Sequence, residues 1–232
     1  MLWAGGFETQ AGRKGCQVDA APSPSGHYTD EAVVAFLDDG RRVRLVNHFG
    51  YVDRHGVRWD VPAGAIVDGA SIPRPLWSAI GGPFEDKYRA ASIVHDWFCD
   101  VRSRLWKSVH RMFYEGMLAS GVPVARAKLM YAGVYWGGPR WSQAVVDNTQ
   151  LILNQYLKSS AEPRDRAFHA RRIDVSTDSA DDPVGQGRIY RYDFSDKDLD
   201  ELAKRTAAQD LTLDELERIV DQQMKQATCI EL

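Results

Sequence analysis

From Tyr28 onward, short β-branched and aromatic runs are separated by glycine-bearing turns: AVVAFL, then Asp38-Asp39-Gly40, RRVRLVNHF, then Asp53-Arg54-His55-Gly56, and VRWDVP. Period-two runs bounded by such turns predict a small antiparallel β-sheet over about residues 31–67. Beyond Pro75 the apolar spacing lengthens toward three and a half, and helices take over. Tyr88, Ala91, His95 and Phe98 fall on one side of a helix, with Val94 beside them, so His95 points with the apolar residues. In the next segment Leu105, Val109, Met112 and Gly116 form one stripe, and Trp106, His110, Phe113 and Met117 the adjoining one. Gly121-Val122-Pro123 stops that helix, and a third runs through RAKLMYAGVYW to Gly137-Gly138-Pro139. A fourth extends from about Ser142 to Leu157. The fold class expected is α+β, the sheet followed by a helical bundle over about 86–157.

The flanks read differently. Residues 1–27 are glycine-rich and proline-rich with little apolar periodicity, an irregular lead-in to a core domain at 28–157. Residues 158–190 hold mostly Ser, Asp, Arg, Pro and Gly, which reads as a linker with Arg164, Arg166, Arg171 and Arg172 exposed. Two capping signatures follow, Ser195 with Asp198 and Thr212 with Glu215, so residues 191–232 are expected to form a helical hairpin. Residues 195–232 carry ten acids against five bases, a net of −5, and leave +2 on the rest of the chain. An acidic hairpin on a nearly neutral body suggests a protein partner for residues 191–232.

Composition narrows the function classes. With 232 residues, 44% of them hydrophobic, there is enough apolar material for one core, and fibrous or fully disordered readings are excluded. A net charge of −3 gives no global basic field, so nucleic acid is not expected as the main partner. The longest apolar runs, such as Leu151-Ile152-Leu153, are far short of the roughly 20 residues that cross a bilayer. The start MLWAGGFETQAGRKG lacks the cationic and apolar regions of a signal peptide, so the expected location is the cytoplasm, or delivery by a specialised route. Cys16, Cys99 and Cys229 form no CxxC pair and suit a reducing compartment. Cys99 lies four residues after His95, but a small apolar residue is the commoner use of cysteine on a helix.

The densest polar group in an apolar setting is VPAGAIVDGASIPRPLW followed by IVHDWFCD. A strand ending in Asp-Gly-Ala-Ser places Asp68 and Ser71 at a sheet edge; the plain structural reading is that both satisfy turn amides. His95 and Asp96 diverge by about 100° on their helix, and His110 supplies a second inward imidazole from the next one. Asp68, His95, Asp96 and His110 together make a nitrogen and oxygen shell suited to a divalent metal, zinc or manganese. Such an ion lowers the pKa of its water toward about 7 and suits phosphoester or amide hydrolysis, with His95, Asp96, Asp68 and Ser71 as the catalytic candidates. A metal-free alternative takes Ser71 as nucleophile, His95 as base and Asp68 or Asp96 as orienter, although the G-x-S-x-G elbow is missing. Arg140, with Arg126, Lys128 and Trp136, offers a basic and aromatic patch. Glu115 is a further acid candidate, although a lone Glu on a helix usually faces solvent.

The runs VPAGAIVDGASIPRPLW, YRAASIVHDWFC, VHRMFYEGMLASGV and RAKLMYAGVYWGG resemble the domain-of-unknown-function family 1353, known mainly from phages and prophages, over about residues 59–138. The resemblance implies that Asp68, Ser71, Pro73, His95, Asp96 and Tyr131 occupy its motif positions. Two departures stand out: Val67 where the family usually has Thr, and His110 where it usually has Asp in the second helix. Two functions are therefore expected to compete. One is a metal-dependent hydrolase in a phage-related or secretion-associated setting. The other is a non-catalytic interaction module whose polar motif is structural and whose hairpin binds a partner.

Overall fold

The computed structural model describes residues 24–40, 42–68, 86–159, 189–193, 195–208, 210–224 and 229–231. Most of the expected lead-in and linker, together with Ser71 and Pro73, lies outside them. Six short strands come first: β1 (His27–Tyr28), β2 (Val34–Phe36), β3 (Val43–Leu45), β4 (Phe49–Val52), β5 (Arg58–Val61) and β6 (Ile66–Val67). They pair antiparallel as two three-stranded sheets, β1-β4-β5 and β2-β3-β6. The α+β class and the order of sheet, bundle and hairpin are as expected, but strand structure begins at His27, ahead of residue 31. The turn at Asp53 shows why this segment folds locally: its carboxylate accepts the amides of His55 (2.9 Å) and Val57 (3.0 Å) and the indole N–H of Trp59 (3.2 Å).

After a 3-10 turn at Asp86–Tyr88 come α1 (Arg89–Val101), α2 (Trp106–Ala119) and α3 (Val124–Gly137). Helix α1 is buried on nearly every side, from Ala91 to Cys99 without a break. Its Val94, Trp97 and Phe98 meet Leu45, Trp59 and Val61 of the sheets, while Tyr88 and Ala91 join a second cluster with α2 and α3. A helix buried on nearly every side belongs at the centre of a domain, and the two core clusters meet on either side of this one. Helix α2 ends in a Schellman motif: the Val122 amide donates to the Met117 carbonyl (3.0 Å) and the Gly121 amide to that of Leu118 (2.9 Å). Gly121 has φ +76°, the left-handed conformation the motif requires.

Helices α1 and α2 approach closely at Gly116. A Cβ there would lie 2.9 Å from the Tyr28 hydroxyl and 3.2 Å from the Ala91 Cβ, and Tyr28 donates a 2.8 Å hydrogen bond to the Gly116 carbonyl. Gly116→Ala gains about 1 kcal/mol of helix propensity and loses about 2 kcal/mol to the contact, a net destabilisation of about 1 kcal/mol in urea titration.

The rest of the chain folds back on this body. After β7 (Arg140–Trp141) and α4 (Gln143–Ser159) come β8 (Ile189–Tyr192), α5 (Asp196–Ala208), α6 (Leu213–Met224) and β9 (Cys229–Glu231). Strands β7, β8 and β9 form a third antiparallel sheet, which the sequence reading did not anticipate. Both capping signatures are realised. The Asp198 carboxylate accepts the Ser195 amide (2.8 Å) and that of Glu215 accepts the Thr212 amide (2.8 Å), each with its return bond. Leu199, Leu202, Leu216, Val220 and Met224 share one core with Met130, Tyr131 and Val134 of α3. The hairpin's acids face the bundle's bases. Asp210 pairs with Lys128 (2.7 Å), Asp214 with Arg111, and Glu217 with both Lys107 (2.5 Å) and Arg111 (2.7 Å).

Candidate metal centre

The full burial of α1 decides what its polar residues can do. His95 faces α2, where His110 faces back, and the rings meet through a 2.8 Å contact between His95 Nε2 and His110 Nδ1. Neither ring has any exposed surface. Phe113 packs against His95 and Trp106 against His110, so aromatic rings wall the pair on both sides. One helical turn beyond His95, the buried Cys99 sulfur lies 3.6 Å from His95 Nε2 and 3.8 Å from its Nδ1. Among the described residues, His95, Cys99 and His110 are the side chains whose metal-ligating atoms gather within 4.8 Å of one another.

Burial sets the charge state. It pushes the His95 pKa down to about 3. His110 is held well below the ordinary histidine value, first by burial, then by the neighbouring His95 and by Arg140. Burial, with the Asp96 and Asp100 carboxylates, raises the Cys99 thiol. Neutral imidazoles are the form that binds a metal. The far side of the His110 ring abuts Gly138, where a Cβ would lie 3.0 Å from Nε2. That Nε2 is buried and completes no hydrogen bond, although the Pro139 carbonyl lies beside the ring and favours a proton on it.

Asp96, one position on, points elsewhere. Its carboxylate accepts the backbone amide of Asp68 at 2.7 Å, tying the end of β6 to α1. Burial, then the Asp68 and Asp100 carboxylates, hold its pKa well above the usual range. The four side chains read from the sequence as one shell thus fall into two neighbouring groups. His95 and His110 come together with Cys99, and Asp96 comes together with Asp68. The basic patch also resolves differently. Arg140 is buried in a box formed by Trp106, Tyr135 and Tyr192, with ring centroids 4.4, 4.9 and 5.1 Å from its guanidinium, and donates to the Tyr135 carbonyl (2.6 Å). Lys128 is engaged by Asp210. Glu115 pairs with Arg54 at 3.2 Å, beside an open groove between the Arg54 turn, α2 and α6 that Arg111, Tyr114 and Leu213 also line. Tyr131 donates to Glu217 of the hairpin (2.5 Å). The spacing of four from His95 marks Cys99 in the sequence, but, read there as a small apolar helix residue, it is not counted among the metal ligands.

Comparison with known proteins agrees with the resemblance. Residues 43–134 match the family described as "Protein of unknown function (DUF1353)", a stretch that holds Asp68, His95, Asp96, Cys99 and His110. Two relatives come from Sinorhizobium fredii (strain NBRC 101917 / NGR234). "Uncharacterized protein y4jT" is 45% identical over 119 residues, which are 51% of this chain and 34% of the relative. "Uncharacterized protein y4iH" is 50% identical over 107 residues, 46% of this chain and 45% of the relative. The chain therefore spans less than half the length of these two relatives. No solved structure matches.

Proposed function

We propose that the chain is a metal-dependent hydrolase acting on a phosphoester or amide, in a phage-related or secretion-associated setting. The observation that carries this reading is the contact between two neutral, buried imidazoles from different helices, His95 Nε2 and His110 Nδ1, 2.8 Å apart. Two facing nitrogens of this kind are a ready pair of ligands for a divalent ion of the zinc class. The ion would supply Lewis acidity and an activated water near neutral pH. The chain's own acid–base chemistry would come from the carboxyl pair next door. Asp96, its pKa raised by burial and by Asp68, is suited to hold a proton for a leaving group. Asp68 is half-buried just past the end of β6.

Purified full chain is expected to carry about one equivalent of zinc by elemental analysis. It should cleave an activated phosphodiester or amide reporter, and chelation should abolish that cleavage. Less than about 0.1 equivalent after growth with added zinc, and no uptake by the metal-free chain, would overturn the proposal.

The complete burial of His95 and His110, together with the Asp96 bond that fastens β6 to α1, favours a second reading. In it the motif is structural and the chain is a non-catalytic interaction module that meets a partner protein through the outward face of its hairpin. His95→Ala would then lower the melting temperature, with neither metal content nor turnover to lose.

A further inference from the structure

We infer that Cys99 is the third ligand of this centre, making it a two-nitrogen, one-sulfur site selective for zinc-class ions over manganese or magnesium. The inference rests on the metal reading above and specifies its donor set. His95 and Cys99 are four residues apart on α1, so their side chains stack on one face of the helix. On a tetrahedral zinc with bonds of about 2.05 Å to nitrogen and about 2.3 Å to sulfur, ligand nitrogen and sulfur stand about 3.6 Å apart. The Cys99 sulfur already lies 3.6 Å from His95 Nε2. Two nitrogens on such an ion stand about 3.3 Å apart, so the rings need to part by only about 0.5 Å from their 2.8 Å contact.

The tautomers point the same way. The 2.8 Å contact holds one proton between His95 Nε2 and His110 Nδ1. For both atoms to face an ion, that proton must move to the far nitrogen of one ring. His110 offers the place: its Nε2 is buried and without a hydrogen bond, and the Pro139 carbonyl lies beside the ring. A metal-bound histidine commonly donates its other N–H to a backbone carbonyl, and Gly138 is the residue that lets this one approach the backbone. The Cys99 thiol would release its proton to solvent as the sulfur binds, leaving a thiolate and two neutral imidazoles as the donor set. Asp96 is then kept out of the donor set by its bond to the Asp68 amide. A soft sulfur donor disfavours manganese and magnesium, which removes one of the two metals the nitrogen and oxygen shell allowed.

The test is a titration of metal-free full chain with Co2+. Tetrahedral visible bands together with a near-ultraviolet thiolate-to-cobalt charge-transfer band are expected. Cys99→Ser should lose the charge-transfer band and weaken Zn2+ binding at least about tenfold. A chain with Cys16→Ser and Cys229→Ser should keep both. Cys99→Ala, closest to the buried thiol in its lack of polarity, gives the same readout if the serine variant fails to fold. Cobalt bound with visible bands but without the charge-transfer band would overturn Cys99 as a ligand and leave the hydrolase reading standing. So would a band that disappears with Cys16 and Cys229 and not with Cys99. No uptake of Co2+ or Zn2+ at all would bring down both.

Discussion

Acidification from pH 7 to pH 5 is expected to strip the metal-free chain of between about 1 and 4 kcal/mol of stability, through histidines that cannot ionise where they are buried. His95 stays neutral in the fold down to about pH 3, and His110 is likewise held well below 6.5. In the unfolded chain both take up protons near 6.5, so acid favours the unfolded state. Over this interval each histidine forfeits about 2 kcal/mol. Asp96 has the opposite sign. Its folded pKa is raised, so it binds a proton on folding, and acid favours the folded state through this group and, more weakly, through the partly exposed Glu115, whose pKa burial also raises. The net slope is therefore that of two histidines less these two carboxyls, Asp96 the larger. Asp96→Asn keeps the bond to the Asp68 amide and deletes the opposing proton, so its stability should fall more steeply toward the full 4 kcal/mol. Urea titrations of chelator-treated protein at pH 7, 6 and 5 read both slopes. A flat wild-type profile, or an Asp96→Asn profile no steeper than wild type, would contradict this assignment.

Replacing Glu217 by alanine is expected to cost about 3 kcal/mol and to loosen the C-terminal hairpin. Glu217 is only 4% exposed, yet it receives Lys107 and Arg111 from α2 and the Tyr131 hydroxyl from α3. The two cations are partly solvated, which discounts the pair, but the Tyr131 hydroxyl is buried and would lose its acceptor. Glu217→Gln retains an acceptor for Tyr131 and Arg111 and should lose about half as much. Tyr131 lies inside the family match, so a residue of the matched stretch is held by a carboxylate from beyond residue 134, where that match ends. Thermal melts and the rate of proteolysis within α5 and α6 check this. A loss below about 0.5 kcal/mol would mean that apolar packing alone docks the hairpin.

The helices were legible because their signals are local. The spacing of Tyr88, Ala91, His95 and Phe98, the stop at Gly121 and the caps at Ser195 and Thr212 each act within a turn or two of chain. The β7-β8-β9 sheet was hidden because its pairings join positions far apart in sequence. Arg140 meets Tyr190, Tyr190 meets Glu231, and a two-residue strand such as β7 has no period to read. At the site, the inward tilt of His95 and His110 followed from apolar stripes. The division of the four expected ligands did not, because it depends on a bond from a backbone amide, that of Asp68, which a sequence does not display. Glu217 was hidden for a related reason. Acidic residues on a net-negative hairpin read as solvated surface until the bases opposite them are known.

The pairing of β7 with β8 also bears on how this chain tolerates change. It brings Arg140 and Tyr190 side by side, so everything between them is one closed excursion, and α5 and α6 are anchored to α3 whatever its length. Ring-closure entropy grows only logarithmically, and doubling such an excursion costs about 0.6 kcal/mol. A change in the length of chain joining α4 to β8 is accordingly expected to carry little thermodynamic penalty. A backbone nick there would leave two pieces whose matching faces can hold them together.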